Sequence, residues 1–313
     1  MAESEAAAAA RGILWGIDLG GTKIEGIIID SGSGEVICRH RIDTQGDGGY
    51  RHVLSRIGKL VGFLKRESGF TPEMIGFGTP GTLDPDTGKL RGSNSRHLNG
   101  EPLDRDLEQM LDVPVCVEND ANCFTLAETR MGAIPAKAPW ADSVFGVIMG
   151  TGVGGGIVIG NRLVSGKHGI GGEWGHNFLD NSGGKCFCGR VGCVETVISG
   201  PALERHYHSL SGERLPLRQI SERSGQGDSF AQATIDRLVR FFGLAISQVI
   251  NTLDPDVIVI GGGVGNIDQL YTRGFEEASR HAFTSDLSTL ILKPELGDSA
   301  GVFGAAQLCA RNT

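Results

Sequence analysis

The sequence predicts an α/β protein made of two related units. Three observations carry this reading. Strand-like apolar runs alternate with helix-periodic segments along the chain. Glycine clusters follow the apolar runs instead of recurring at a fixed period. An internal duplication is also visible: residues 15–30 read WGIDLGGTKIEGIIID and residues 145–160 read FGVIMGTGVGGGIVIG. Trp15 aligns with Phe145, Gly16 with Gly146 and Gly20 with Gly150. Each copy is an apolar strand, a Gly/Thr turn and a second apolar strand, the pattern of a hairpin with a polar tip. A chain of 313 residues exceeds one typical domain. Two similar units are therefore predicted, each contributing one loop to a shared ligand cleft.

The elements follow in order. Met1–Arg11 holds Glu3, Glu5 and the alanines Ala6–Ala10, and lacks the basic start and strong apolar core of a signal peptide. Residues 1–12 are predicted to be a disordered tail. Met74–Gly78 reads as a buried strand opening into Thr79-Pro80-Gly81-Thr82. Val113–Val117 reads as a strand that Pro114 places near an edge or at a strand start. It ends in Glu118-Asn119-Asp120, and a helix is expected over Ala121–Arg130. Gly212–Ser229 is polar and reads as a surface excursion. Ile235, Leu238, Val239, Phe242, Ile246, Val249 and Ile250 keep helical spacing up to Asp254-Pro255. Val257–Ile260 is a buried strand followed at once by Gly261-Gly262-Gly263, and ligands of open α/β sheets bind at such strand ends. A last helix is expected over Gly301–Cys309.

Composition narrows the function. There are 29 Lys and Arg against 37 Asp and Glu, a net charge of −8 without a basic run. That argues against nucleic acid and anionic membranes as partners. No apolar stretch approaches the ~20 residues of a membrane span, and a cytoplasmic location is expected. The 49 glycines are roughly twice the usual share.

The glycine turns suit phosphate. In Asp18-Leu19-Gly20-Gly21-Thr22-Lys23, bare backbone N–H groups and the Thr22 hydroxyl offer donors to phosphate oxygens, and Asp18 offers magnesium a carboxylate. Gly150-Thr151-Gly152 offers a second clamp, and Gly262 and Gly263 a third backbone approach. GxxxxGK[ST] does not occur, and the glycines sit at hairpin tips instead of strand-to-helix turns, so neither a Walker loop nor a dinucleotide fingerprint fits.

Three of the seven cysteines lie within eight residues. His176, Cys186, Cys188 and Cys193 supply one imidazole and three thiolates, which fill a tetrahedral zinc shell and predict a structural site without an open position. Glu173 and Glu195 flank this knot, which would fix them in space. One nitrogen of His176 is expected on zinc and the other toward substrate. Asp120 is the expected general base, because a hydroxyl nucleophile needs a carboxylate to take its proton, with Asn119 beside it as a hydroxyl binder. Glu118 is its local competitor.

The segments GIDLGGTK, ENDANC, GTGVGGG, GGEWGH, CFCGRVGCVET, DPDVIVIGGG and GAAQL together resemble sugar kinases of the ROK family (repressor, open reading frame, kinase), in the actin-like ATPase superfamily. The resemblance runs from Ile13 to Leu308, and the H-x9-CxCGxxGC spacing is its most specific part. It implies two actin-like (ribonuclease H-like) lobes with a ligand cleft between them. The N-terminal lobe would be residues 13–122 plus about 300–313, the C-terminal lobe residues 123–299 with the zinc loop. It further implies ATP and Mg²⁺ at Asp18–Lys23 and Gly150–Gly152, Asp120 as proton acceptor, and sugar contacts at Asn119, Glu173, His176 and Glu195. Gly81, Thr82 and Asn94 would lie at the other side of the sugar, and a homodimer is expected. Some family members are repressors with a DNA-binding segment ahead of the sugar domain. A first strand at Ile13 leaves no room for one, so a sugar-responsive regulator is the lesser expectation. Ser93-Asn94-Ser95, GEWGHN and ETVISG resemble fructokinases and mannokinases of this family. The expected reaction is therefore transfer of the γ-phosphate of ATP to the 6-hydroxyl of fructose or mannose, with N-acetylglucosamine or glucose as the alternative.

Overall fold

The computed structural model describes residues 12–310, so residues 1–11 of the expected tail lie outside the described residues. Within them the chain forms two units. Unit 1 runs to Gly132, takes back Ser165–Gly171 and resumes at Asp298; unit 2 is Ala133–Val164 and Gly172–Gly297.

Unit 1 is built on β1 (Ile13–Leu19), β2 (Lys23–Asp30), β3 (Val36–Asp43), β4 (Ile75–Thr79) and β7 (Val115–Asn119), with a separate ribbon of β5 (Thr82–Leu83) and β6 (Leu90–Arg91). The sheet order is β3-β2-β1-β4-β7. β1, β2 and β3 pair antiparallel, while β1, β4 and β7 run parallel. Unit 2 is built on β8 (Ser143–Met149), β9 (Val153–Ile159), β10 (Arg162–Leu163), β11 (Val257–Gly261) and β12 (Leu290–Leu292), in the order β10-β9-β8-β11-β12. Every pair has the same sense as its counterpart in unit 1. The duplicated sequence is thus a duplicated sheet, and β7 lies at an edge of its sheet and starts just after Pro114.

The sequence pattern explains the layers. β4 is buried at all five positions, as expected of a strand covered on both faces. The helix Tyr50–Ser68 buries Val53, Ile57, Leu60, Val61 and Leu64, its i, i+3, i+4 stripe, in the core that also holds Ile17, Ile24 and Phe77. The C-terminal helix Ala300–Leu308 belongs to unit 1, and its Val302 and Ala306 pack with Leu14, Ile27 and Ile29. This contact is backbone-close. A Cβ on Gly76 would overlap the Ala305 carbonyl, and one on Gly304 would overlap the Cys123 carbonyl. Cys123 lies in the helix Asp120–Arg130, so that helix is locked into unit 1. The first unit boundary therefore falls after Gly132 instead of residue 122.

In unit 2 the helix Ser229–Leu253 is capped by Asp228, whose side chain accepts from the amides of Phe230 and Ala231 at 2.9 and 3.0 Å. It ends at Asp254, in the left-handed region with φ 48, ahead of Pro255. The polar stretch 212–229 is more than a surface excursion. It contains the helix Leu217–Ser224, which buries Leu217 and Ile220 at i, i+3 spacing. Two apolar residues in one short polar segment are too few to reveal that period in the sequence.

The Gly304 contact is testable. Gly304→Ala is expected to destabilise unit 1 by about 1–3 kcal/mol through overpacking, lowering the melting temperature by roughly 2–12 °C in calorimetry. Gly225→Ala, whose Cβ would meet only ordinary contact at 3.6 Å, should leave it unchanged.

Candidate active site

Antiparallel pairing ends at Leu19 and Ile24, leaving Gly20–Lys23 to turn the β1–β2 hairpin. The turn is closed by the Gly20 amide donating to the Lys23 carbonyl at 3.0 Å. Thr44, 1 % exposed, holds it from behind. Its hydroxyl donates to the Gly20 carbonyl at 2.7 Å and its amide to the Thr22 carbonyl at 2.9 Å. The loop's carbonyls are thus drawn back. Among the described residues no protein acceptor takes the amides of Gly21 and Thr22. Unpaired amides on a fixed turn are what a phosphate oxygen requires. Ser95 adds a hydroxyl beside this turn, 3.3 Å from where a Cβ on Gly21 would stand.

Asp18 stands at the mouth of the same hairpin. Burial, then the nearby carboxylates of Asp120 and Glu25, push its carboxyl up to about 7, against the lowering effect of Lys23 and Arg41. Glu25 is itself 2 % exposed and is held by Arg39 Nε at 2.5 Å and Arg41 Nη2 at 2.6 Å. Ser299, at the start of the C-terminal helix, joins this network by hydrogen bonding with Arg39. Neither Glu25 nor Thr44 could be singled out from the sequence, because each acts through partners distant in the chain.

β7 ends at Asn119 and the helix starts at Asp120. Asn119, not Asp120, is the N-cap: its Oδ1 accepts from the Ala121 amide at 2.9 Å. Its Nδ2 donates to the carbonyl of Gly81 at 3.2 Å. Asp120 takes the exposed first position of the helix, where a carboxylate also gains from the helix dipole. Glu118 is removed from competition. One of its oxygens bonds the Ser165 hydroxyl and the other accepts from Asn122 Nδ2 at 2.9 Å. Gly81, at φ 86, therefore adjoins Asn119. Thr82 is buried and donates to the Gly169 carbonyl at 2.8 Å. Asn94 stands exposed between buried Ser93 and Ser95, on a loop that the Asn99 side chain pins through both the amide and the carbonyl of Ser93.

In unit 2 the β8–β9 hairpin turns at Gly150-Thr151-Gly152, between the paired Met149 and Val153. The Gly150 amide donates to the Gly152 carbonyl, and the Gly150 carbonyl accepts from the Gly200 amide, both at 2.9 Å. Gly262, at φ 80, packs on Met149 so closely that a Cβ would overlap its carbonyl. The strand-end glycines are thus brought to the second hairpin, with Gly263 in open space. The remaining glycines of GTGVGGG serve packing: at Gly155 a Cβ would lie 2.6 Å from Trp174, whose Nε1 donates to the Gly154 carbonyl at 3.0 Å. The segment carrying Glu173 and His176 lies flat on β9 for this reason.

His176, Cys186, Cys188 and Cys193 place one ligand atom each within 4.8 Å of one another. Cys186 Sγ lies 3.6 Å from His176 Nδ1, and Cys188 Sγ lies 3.6 Å from Cys193 Sγ. The edge of a tetrahedron with metal–ligand arms of 2.0–2.3 Å is ~3.3–3.8 Å, so the donor set fits a tetrahedral ion. His176 Nδ1 faces these thiols, while Nε2 points to Glu173 Oε2 at 4.0 Å. Glu195 begins as a neighbour of the same cluster, with Oε1 3.9 Å from Cys186 Sγ. Its Oε2 accepts from the Val153 amide at 3.0 Å, just past the second hairpin turn. Burial holds the Glu173 carboxyl above the usual range, opposed by His176 and reinforced by Glu195.

Residues 14–312 match the model of the ROK family. The chain belongs to the ROK family. It is 34 % identical over 308 residues to the N-acetyl-D-glucosamine kinase of Mannheimia succiniciproducens, covering 95 % of this chain and 99 % of that one. It is 35 % identical over 306 residues to the Pasteurella multocida enzyme of the same name, covering 94 % and 98 %. Among solved structures it matches the ROK hexokinase of Thermus thermophilus with a TM-score of 0.83 at 32 % identity, covering 94 % and 96 %. It also matches a ROK glucokinase of Streptomyces griseus in complex with glucose and AMPPNP, with a TM-score of 0.78 at 29 % identity, covering 95 % and 99 %. In this ROK chain, unit 1 groups Asp18, Gly20–Thr22, Gly81, Asn119 and Asp120, and unit 2 groups Gly150–Gly152, Gly262, Glu173, His176 and Glu195.

The crowding at Asp18 has a measurable consequence. A carboxyl raised in the folded state contributes stability that is lost as pH rises from about 4 to about 7. In magnesium-free buffer Asp18→Asn should therefore melt higher than the parent, by a margin that widens over that range and then levels. Roughly three pKa units set an upper bound of ~4 kcal/mol, and partial exposure reduces this to about 1–3 kcal/mol. Equal melting temperatures at pH 8 would refute the crowding.

Proposed function

We propose that this ROK sugar kinase transfers the γ-phosphate of ATP to the 6-hydroxyl of N-acetylglucosamine. The observation that carries the chemistry is the pairing of a bare amide turn at Gly20–Thr22 with the exposed carboxylate of Asp120 in one unit. The names of the curated relatives favour N-acetylglucosamine over the fructose or mannose expected from short segments. Those segments are shared among enzymes for several hexoses, and sugar choice rests on a few contacts.

Asp120 accepts the proton of the 6-hydroxyl as its oxygen bonds to the γ-phosphorus and the bond to the ADP oxygen breaks. The free amides of Gly21 and Thr22 and the Gly150–Gly152 turn bind phosphate oxygens that carry the developing charge. Asp18, with Asp120 and Glu25 near it, would hold the magnesium that arrives with ATP, which would supply neutralisation of phosphate charge. Glu173, Glu195 and His176 Nε2 bind sugar hydroxyls, and Asn119 fixes the start of the helix bearing Asp120. Gly81, Thr82 and Asn94 supply the remaining sugar contacts. Zinc at His176, Cys186, Cys188 and Cys193 would crosslink the loop that carries Glu173. The active form is a homodimer, as in its family.

Asp120→Asn is expected to lower kcat by about 10²–10⁴ while sugar affinity, measured by titration, changes little; near-normal kcat would sink the assignment. A coupled ADP-release assay should give N-acetylglucosamine the highest kcat/KM, at least about ten-fold above fructose, mannose and glucose, and a preference for fructose or mannose would restore the earlier reading.

Metal analysis should find about one zinc per chain. Cys186→Ser should lose the ion and weaken sugar binding; full activity of a zinc-free Cys186→Ser chain would refute the structural site.

A further inference from the structure

The metal-type cluster uses three of the seven cysteines, and Cys38 lies apart beside Glu67. The other three, Cys116, Cys123 and Cys309, gather where the C-terminal helix Ala300–Leu308 meets the sheet of unit 1. Register explains the meeting. Cys116 of β7 pairs with Gly76 of β4, and paired positions of neighbouring strands present their side chains on one face. Gly76 has no side chain, and Cys309, at the end of the helix, fills that space: its Sγ lies 3.4 Å from where a Cβ on Gly76 would stand. Cys309 thus reaches the side of Cys116, and the two thiols share a hydrogen bond. Cys123 covers Gly78 further along the same strand, with its Sγ 3.2 Å from the corresponding point.

The members of the pair differ chemically. The hydrogen bond from Cys309 holds the Cys116 thiol down at about 7, against burial and the carboxylates of Glu108 and Glu118. The same bond, then burial, raises Cys309, so the proton of the pair rests there. The thiolate is the nucleophilic form of cysteine. Reagents reach it from outside: Cys116 is half-buried and borders Met74, which is 37 % exposed and whose Sδ lies 3.5 Å from Cys116 Sγ. Cys123 has neither property. It is fully buried, and burial pushes its thiol well up. An accessible low-pKa thiolate with a protonated thiol beside it is the arrangement of an oxidant-sensitive pair.

We propose that Cys116 and Cys309 form a reversible disulfide, with hydrogen peroxide as oxidant, that staples the C-terminal helix to β7. The Cys116 thiolate attacks one peroxide oxygen: the S–O bond forms, the O–O bond breaks, and the departing hydroxide takes up a proton as water. The Cys309 sulfur then attacks the Cys116 sulfur: the S–S bond forms, the S–O bond breaks, and hydroxide leaves with the Cys309 proton as a second water. Two electrons pass from the sulfur pair to the peroxide, and a dithiol such as dithiothreitol returns them by exchange. The bond joins the strand that ends at Asn119 to the helix whose Gly301 packs on Asp18. It goes beyond the kinase reading and does not depend on any sugar or phosphate being bound.

The test uses the full chain with its metal. It is treated with hydrogen peroxide, blocked with an alkylating reagent, digested without reduction and mapped by mass spectrometry. Cys116→Ser and Cys309→Ser chains, whose folding is checked by melting in dithiothreitol, are treated alongside. The parent should yield peptides joined through Cys116 and Cys309. Its melting temperature should rise by roughly 4–15 °C, because the bond closes a loop of more than half the chain. Dithiothreitol should reverse both changes, and neither should occur in the variants. In Cys309→Ser, dimedone should trap a sulfenic acid on Cys116, which marks the attacking sulfur. The parent's peptide map decides the matter even if a variant fails to fold. Cys116 and Cys309 both still open to alkylation, a link from Cys309 to Cys123 instead, or a Cys116–Cys309 link that leaves melting unchanged would each overturn the proposal.

Discussion

The carboxylates of Asp18, Asp120 and Glu25 share one corner of unit 1, and much of that unit follows from holding them together. Like charges at close range repel, and burial adds a desolvation cost. The fold offsets one of the three: Glu25 receives two arginines from β3. Asp18 receives no direct partner of that strength and is driven toward protonation. An arrangement this costly is found where a cation is due to arrive, and active sites trade stability for such sites. The surroundings then read as supports. Thr44 fixes the turn beside Asp18, Asn119 fixes the helix bearing Asp120, and the C-terminal helix presses on β4 and on the helix bearing Asp120 through contacts that only glycine allows at Gly76 and Gly304.

The two units use one topology for different ends. The first hairpin turn is pulled back by a neutral hydroxyl, that of Thr44, and sits against acidic groups. The second is braced by a carboxylate, since Glu195 accepts from the Val153 amide next to it. A duplicated strand–turn–strand supplies two rigid glycine turns, both assigned to phosphate in the proposed reaction, and the two differ in what stands behind each turn. That division agrees with function residing in sites placed on a common scaffold.

How much of this was legible in the sequence depended on the range of the interaction. The hairpins were readable because their period and turn residues are local, and the metal donors because their spacing is local and their chemistry narrow. Pro114 pointed to an edge or to a strand start, and β7 begins directly after it at the sheet's edge. The buttresses were not readable. Glu25 meets Arg39, Arg41 and Ser299, and Thr44 meets Gly20, only after the sheet has formed. Asn119 was expected to bind a hydroxyl, and its carboxamide also meets Ala121 and Gly81, which leaves one donor and one acceptor of the side chain. The pattern of residues there shows a polar pair, and only the backbone conformation decides which of the two caps the helix. The helix Leu217–Ser224 escaped notice because two buried residues do not establish a period.

The segment that carries the Cys/His cluster has little hydrophobic material of its own. Phe178, Phe187 and Val191 are exposed, and two isolated bridges, Phe178 with Cys193 and Lys185 with Val191, are its only β-pairings among the described residues. A stretch so poor in buried apolar area cannot order itself against its backbone entropy. A bound ion would be the substitute, because its coordination energy would appear directly as folding energy of the loop. His176 Nε2 lies 4.0 Å from Glu173 Oε2, so an ion on its other nitrogen would be linked to Glu173, and Glu195 joins the same region to the second hairpin turn. Under the zinc reading, the crosslink therefore acts on two parts of the reaction at once. It orders the carboxylates assigned to the sugar, and it steadies the Gly150–Gly152 turn assigned to the nucleotide.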